Sequence, residues 1–288
     1  MKTPTPTALD LDAYFQRIGY HGDRCATLET LQAIHLAHAE SIAFENLTSL
    51  LQQPVPLDLP SLQHKLIHQR RGGYCFEQNL LLRSVLLTLG FQVTNLAARV
   101  LWNLPEHTLT PRSHMLLQVE LEGERYLADV GFGGLTLTAP LLLTPDIKQT
   151  TPHEPFRLIA SDDVYILQAN IAQAWQSLYR FDLQVQQLPD YEVSNWYVST
   201  HPQSLFVNSL IVAKPDSGCR YALRNNQLST HYLDGHTEHK VLSTVSELRA
   251  ALEEVFGLQL STINPPGNCE ASPTLDRTLQ RLIDQTNG

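Results

Sequence analysis

The sequence predicts an α+β fold, and three observations carry that prediction. The first 90 residues repeat their apolar positions at helical spacing, the residues from Phe91 switch to short β-rich runs, and the final third mixes both patterns. With 288 residues, 43% of them hydrophobic, the chain can bury a sizeable core.

In the opening third, Leu11, Tyr14, Phe15 and Ile18 fall on one helical stripe. Leu28, Leu31, Ile34 and Ala37 form a second, placed after Thr27, whose hydroxyl suits an N-cap. Pro54, Pro56 and Pro60 interrupt the pattern. A third helix is expected over 61–69 and a fourth over 75–89, where Gly90 supplies a left-handed stop. The runs FQVTNLAARVLW, SHMLLQVEL, RYLADVGF, VYILQA and WQSLYRFDLQV then predict a mainly antiparallel sheet or barrel. After Pro189, YEVSNWYVST is expected to be helical, and FVNSLIVAK, RYALRN, LSTHYL and HKVLST to be strands. Helices over 245–256 and 272–285 complete the reading, and the transitions divide the chain into 1–90, 91–200 and 201–288.

Composition excludes several functions. A net charge of −9 opposes broad binding to nucleic acid or to an anionic membrane, because both need a basic face. Cys25, Cys75, Cys219 and Cys269 are widely separated, which indicates neither a disulfide framework nor a zinc ribbon and fits a reducing compartment. The N-terminal MKTPTPTALDLDAYF lacks the apolar stretch of a secretory signal, and no run has the apolar length of a membrane span. A soluble cytoplasmic protein is the expectation.

The chemistry concentrates in RRGGYCFEQN, which places Cys75 after two glycines at the start of a helix. There the helix dipole and free N–H groups favour a thiolate. His114 and Asp129 lie in SHMLLQVELEGERYLADVGF, which reads as a hairpin turning at Glu122 and Gly123. With a two-residue loop, Leu121 pairs with Glu124 and His114 with Gly131, so Asp129 is diagonal to His114 on the same face. The order Cys, His, Asp has the parts for nucleophile, base and orienting carboxylate. The same parts serve an acyltransferase, a cysteine peptidase or a transglutaminase, and an aromatic-ligand-binding protein is a non-catalytic alternative. His64 with His68, His35 with His38 and His236 with His239 lack a third metal ligand, so no metal is expected. A single RGG in an acidic chain is poor support for RNA binding.

RGGYCFEQN, SHM and ADVGFGG together resemble the arylamine N-acetyltransferase family, as do SIAFENL at 41–47 and SNWYVSTHPQSLF at 194–206. The resemblance implies a helical bundle, a β-barrel and an α/β lid around a cysteine-protease-like core of Cys75, His114 and Asp129. It implies acetyl-CoA as co-substrate, no permanently bound cofactor, and a ping-pong transfer to arylamines, hydrazines or N-hydroxyarylamines. Phe44, Val100, Ser113, Phe132 and Phe206 then fall at acceptor-pocket positions, and Gly131, Gly133 and Gly134 at a CoA-contacting turn. Arg71 is implied to brace the site with Glu45 and Asn46. Ala43 departs from the family pattern, which often has proline before Phe44. A monomer or homodimer is compatible with all of this.

Overall fold

The computed structural model describes residues 8–263 and 274–287. Two helices open it, α1 (Leu11–Ile18) and α2 (Leu28–Ser41). Asp10 caps α1 by accepting the Ala13 N–H, Gly19 ends it at φ +66°, and Thr27 caps α2 by accepting the Thr30 N–H. β1 (Phe44–Glu45), α3 (Leu47–Leu50) and α4 (Leu59–Leu62) follow. The helix expected over 61–69 starts two residues earlier, because Asp58 caps it and Pro60 fits a first turn. It then widens into a π-helical stretch, Gln63–His68. α5 (Cys75–Thr88) is buried on nearly every side and carries Glu77, Gln78 and Asn79 into the interior.

Seven strands come next: β2 (Gln92–Val100), β3 (Arg112–Leu121), β4 (Glu124–Ala128), β5 (Leu141–Leu142), β6 (Phe156–Ser161), β7 (Val164–Ile171) and β8 (Ala174–Phe181). They form one antiparallel sheet in the order β5-β4-β3-β2-β8-β7-β6, curled into a nearly closed barrel. Gln149 spans the gap between its edges. Its side chain accepts the Leu142 N–H at 2.7 Å and donates to the Leu142 carbonyl at 2.9 Å, while its main chain exchanges two hydrogen bonds with Phe156.

The remainder comprises α6 (Leu188–Thr200), α7 (Leu205–Asn208), β9 (Ile211–Asp216), β10 (Cys219–Arg224), β11 (Gln227–Tyr232), β12 (Thr237–Val241), α8 (Val245–Ala250) and α9 (Leu275–Asn287). A π-helical turn, Ala251–Val255, prolongs α8. β9 to β12 form a second sheet, and β1 completes its edge by pairing Phe44 with Ala213 and Glu45 with Val212. FVNSLIVAK is not one strand: the Ser204 hydroxyl accepts the Phe206 N–H and starts the short α7, so the strand begins only at Ile211. Of the expected final helix, 272 and 273 lie outside the described residues.

Three apolar clusters fill these layers. One joins α1, α2 and α5 to the outer face of β3, one fills the barrel, and one lies between the second sheet and α3, α8 and α9. The start of α5 lies where the first cluster meets the barrel. No helix among the described residues is long and apolar enough to cross a membrane.

Candidate active site

The turn that delivers Cys75 is built by close packing. A Cβ on Gly72 would lie 2.0 Å from the Ala43 carbonyl oxygen, and one on Gly73 would strike the Glu77 side chain at 2.8 Å. Only glycine fits there. Glu77 reaches back to accept the Tyr74 N–H at 3.1 Å, and Gln78 donates to the carbonyls of Ile42, Ala43 and Gly73 at 3.0 to 3.2 Å. The turn is therefore fixed from inside α5 itself.

The hairpin brings the second component. Leu121 pairs with Glu124, as a two-residue loop requires, and Glu122 (φ +54°) and Gly123 (φ +83°) give a turn whose two central residues both have positive φ. The ladder stops at Leu117 opposite Ala128, so His114 does not pair with Gly131 as the register alone predicts. Instead, the chain from Asp129 onward bends toward α5. A Cβ on Gly131 would lie 2.6 Å from the Cys75 Cα, so the bend needs glycine at that position.

These approaches bring Cys75, His114 and Asp129 together in the interior, each no more than 4% exposed. His114 Nε2 donates to Asp129 Oδ2 at 2.7 Å, and the Cys75 thiol is a further hydrogen-bond partner of the His114 ring. The thiol also approaches the Ser113 carbonyl oxygen at 3.7 Å. Both carboxylate oxygens are saturated. Oδ2 also accepts from the Tyr179 hydroxyl at 3.0 Å, and Oδ1 accepts from Asn79 Nδ2 and the Gly131 N–H, each at 2.9 Å.

Burial alone would raise the Asp129 pKa, but the His114 charge and the hydrogen bonds from His114, Asn79 and Gly131 hold it below the usual carboxylate range. Burial alone would lower His114, yet the Asp129 charge and hydrogen bond, with Cys75 behind them, push it up to about 10. The site is therefore arranged to keep an imidazolium beside a carboxylate. Burial, then the Asp129 charge, raises the Tyr179 phenol well above its ordinary value, so it stays a donor.

The other expected site residues divide into groups. Phe132 packs edge-on to His114 at 5.2 Å, and Phe44 and Phe206 meet edge-on at 5.9 Å. Gly133, at φ +87°, lies next to the Phe44 ring, which a Cβ would touch at 3.5 Å. Val100 is half-buried at the end of β2, opposite Tyr179. A Cβ on Gly134 would meet nothing within 4 Å, so no close approach requires glycine there. Its carbonyl accepts from Arg220 at 3.4 Å.

Arg71 does reach Glu45, donating from Nε at 3.0 Å and from an Nη at 2.6 Å. Asn46 is not its partner. The Asn46 amide donates to the Phe206 and Ser209 carbonyls and accepts the Ile211 N–H, tying β1 to α7 and β9, while the Thr48 hydroxyl lies 3.5 Å from Arg71. A buried amide can satisfy three main-chain groups at once, which suits a strand edge better than a cation does.

Sequence reasoning missed Asn79 and Tyr179. Asn79 was within reach, since four residues beyond Cys75 it must share that residue's helix face. Tyr179 had no local signal, because β8 reaches the site only through its pairing with β2. Among the described residues, no group of three His, Cys, Asp or Glu side chains could hold a metal ion.

Fold and sequence together define an acyltransferase of the N-acetyltransferase class: a family model of that description matches residues 27–264. The chain belongs to the arylamine N-acetyltransferase family. It is 47% identical to the arylamine N-acetyltransferase of Escherichia coli over 86% of this chain and 88% of that one. It is 42% identical to the arylamine N-acetyltransferase / N-hydroxyarylamine O-acetyltransferase of Salmonella typhimurium, over 88% and 90%. Among solved structures, the Mycobacterium marinum arylamine N-acetyltransferase in complex with CoA superposes with a TM-score of 0.88 at 38% identity, covering 96% of this chain and 99% of that one.

Proposed function

We propose that the protein transfers acetyl groups from acetyl-CoA to the nitrogen of arylamines and hydrazines, and to the oxygen of N-hydroxyarylamines, through an acetyl-Cys75 intermediate. One observation carries the reading: a buried histidine is held by a saturated carboxylate through Nε2 while its ring borders a thiol at a helix start. With Nε2 engaged by Asp129, Nδ1 is the nitrogen left for the proton of Cys75. The Mycobacterium marinum complex supports CoA as the carrier, and the name of the Salmonella relative supports oxygen as a second acceptor.

In the first half-reaction, Cys75 reacts as the thiolate of a thiolate–imidazolium pair, its proton held on His114, and attacks the acetyl-CoA thioester carbon. The tetrahedral oxyanion collapses, the C–S bond to CoA breaks, and the CoA thiolate takes the proton back from His114. In the second, the amine nitrogen attacks acetyl-Cys75, His114 accepts the amine proton, and Cys75 leaves as thiolate, which restores the thiolate–imidazolium pair. Backbone N–H groups at the start of α5 serve the oxyanion. An arylamine suits this chemistry because its nitrogen is already neutral near pH 7.

Phe44, Val100, Ser113, Phe132 and Phe206 are assigned to the acceptor, since flat aromatic walls suit an aromatic ring. Gly131, Gly133 and Gly134 are assigned to CoA. We assign it small-molecule substrates and a cytoplasmic role as a monomer or homodimer; the net charge of −9 supports the part of this reading that leaves out nucleic-acid and membrane partners.

The test is incubation with acetyl-CoA and no acceptor, followed by peptide mass measurement. Wild type should gain one acetyl group on Cys75, and Cys75→Ala none. An active wild-type protein that never acetylates Cys75 would sink the covalent scheme, and peptide cleavage independent of CoA would favour the peptidase alternative.

A further inference from the structure

Beyond the ladder end at Ala128, four consecutive main-chain N–H groups leave the sheet, and each is received by a side chain. Val130 donates to Asn79 Oδ1 at 3.1 Å, Gly131 to Asp129 Oδ1 at 2.9 Å and Phe132 to Thr136 Oγ1 at 3.3 Å. The first, Asp129 itself, donates to His35 Nε2 at 3.2 Å. Of these acceptors only His35 comes from α2, and it is fully buried.

We propose that His35 is a positioning residue for acyl transfer: as a neutral imidazole it fixes the Asp129 main chain, and so aims the carboxylate that orients His114. The inference rests on the reading of Cys75, His114 and Asp129 given above.

Three features support it. To accept at Nε2, the ring must carry its one proton on Nδ1, because an imidazolium would set donor against donor at the Asp129 N–H. Nδ1 has no partner among the described residues. An apolar side chain would fill the same volume without a buried unpaired donor, so the value of a histidine here lies in its Nε2 lone pair. His35 is also shielded from protonation. Burial lowers its pKa to about 3, with the facing His38 adding to the fall and the Asp129 carboxylate opposing it. The neutral acceptor therefore persists at every pH well above that value.

His38, one turn along α2, shows what a purely structural histidine looks like. Its Nε2 donates to Gln78 Oε1 and its Nδ1 accepts from the Tyr14 hydroxyl, both at 2.8 Å, so neither nitrogen is left over.

Two measurements test the proposal. In full-length wild type labelled with nitrogen-15 at histidine, His35 should show an unprotonated Nε2 and a protonated Nδ1 at every pH from about 5 to 9. In single-turnover acetylation of Cys75 by acetyl-CoA, His35→Leu should slow the step on the order of 10- to 100-fold, as displacement of a supporting group does. It should also move the pH midpoint of Cys75 alkylation by iodoacetamide. His35→Gln, which returns an acceptor near the Nε2 position, should restore most of the rate and the original midpoint.

The proposal is overturned if wild-type His35 carries a proton on Nε2, if His35→Leu matches wild type, or if the leucine and glutamine variants are equally impaired. Should the leucine variant fail to fold, the tautomer and the glutamine variant decide. A wild type that never acetylates Cys75 would defeat the parent reading instead, and leave the tautomer result standing by itself.

Discussion

Two buried ion pairs are tied to the turn that presents Cys75, and they differ in one respect. Arg71 with Glu45 precedes the turn, and His114 with Asp129 meets its far end. In each, the carboxylate is fully buried and held below its ordinary pKa: burial alone would raise it, but the cation and hydrogen bonds outweigh burial. In each, both carboxylate oxygens are occupied, those of Glu45 by Arg71 and by the Leu47 N–H at 2.6 Å. The difference lies in the cation. A guanidinium keeps its protons and spends them on structure, whereas an imidazole has a second nitrogen and a proton it can exchange. Similar electrostatics thus yield a brace in one place and chemistry in the other.

The comparison breaks most visibly at the sulfur. Cys75→Ser should reduce acetyl transfer by at least about 10⁴-fold, since a serine hydroxyl is far less acidic and nucleophilic than a thiol. Thermal unfolding should change little. Steady-state rates beside a melting curve measure both, and a serine variant that retained a tenth of the activity would remove the sulfur from the mechanism. Next in size is Asp129→Asn, expected to lower kcat/KM by about 10³-fold by presenting a donor where His114 needs an acceptor. The third acts on the brace. Arg71→Met takes away the nearer of the two cations on buried Glu45, leaving only Lys65 at 3.9 Å, and should destabilise the fold by about 3 kcal/mol. Protein that remains folded should still acetylate Cys75 at close to the wild-type rate. A large drop in that rate would mean that Arg71 belongs to the chemistry.

The two pairs were unequally legible in the sequence. Cys75 declares itself by its place after Gly72 and Gly73 at a helix start, and the Glu122–Gly123 turn sets the register that carries Asp129 toward His114. Such signals are local, spanning a turn or a hairpin, where spacing converts directly into geometry. Tyr179 and His35 are contributed by elements distant in sequence, and nothing near either residue marks it. Asn46 was misassigned for the same reason: its partners, Phe206, Ser209 and Ile211, are about 160 residues away. Helix α7 was hidden by its apolar run, where Ser204 as a cap was the overlooked sign.

A pH titration sharpens the difference between the cations. His114 is raised from about 6.5 to about 10, so its contribution to stability is complete below about 6.5 and is lost as pH rises toward 10. Asp129 and Glu45 are both lowered, so theirs are present above their ordinary carboxylate values and fade as pH falls through the depressed ones. The alkaline limb should therefore flatten in Asp129→Asn, which removes the charge that raises His114, and persist in Arg71→Met. Urea unfolding at pH 6.5 and pH 9.5 for the three proteins would show it. A slope unchanged in Asp129→Asn would mean that His114 gains little from its partner.

The smallest effect belongs to a pair that shares the charges but not the burial. Arg24 meets Asp12 at 2.5 Å, shorter than either buried contact, yet the two side chains are 56% and 79% exposed. Water screens their attraction and solvates each charge if the partner leaves, so neither of the penalties that govern Glu45 applies. Asp12→Asn should cost less than about 1 kcal/mol, including any weakened interaction with the α1 dipole. Raising salt from 0.05 to 0.5 M should erase most of that difference, because exposed charges are screened within a few ångströms at high ionic strength. Urea unfolding of this variant at both salt concentrations is the measurement. A loss as large as that of Arg71→Met, and insensitive to salt, would show that proximity rather than desolvation sets the strength of these pairs, and the contrast between brace and site would lose its physical basis.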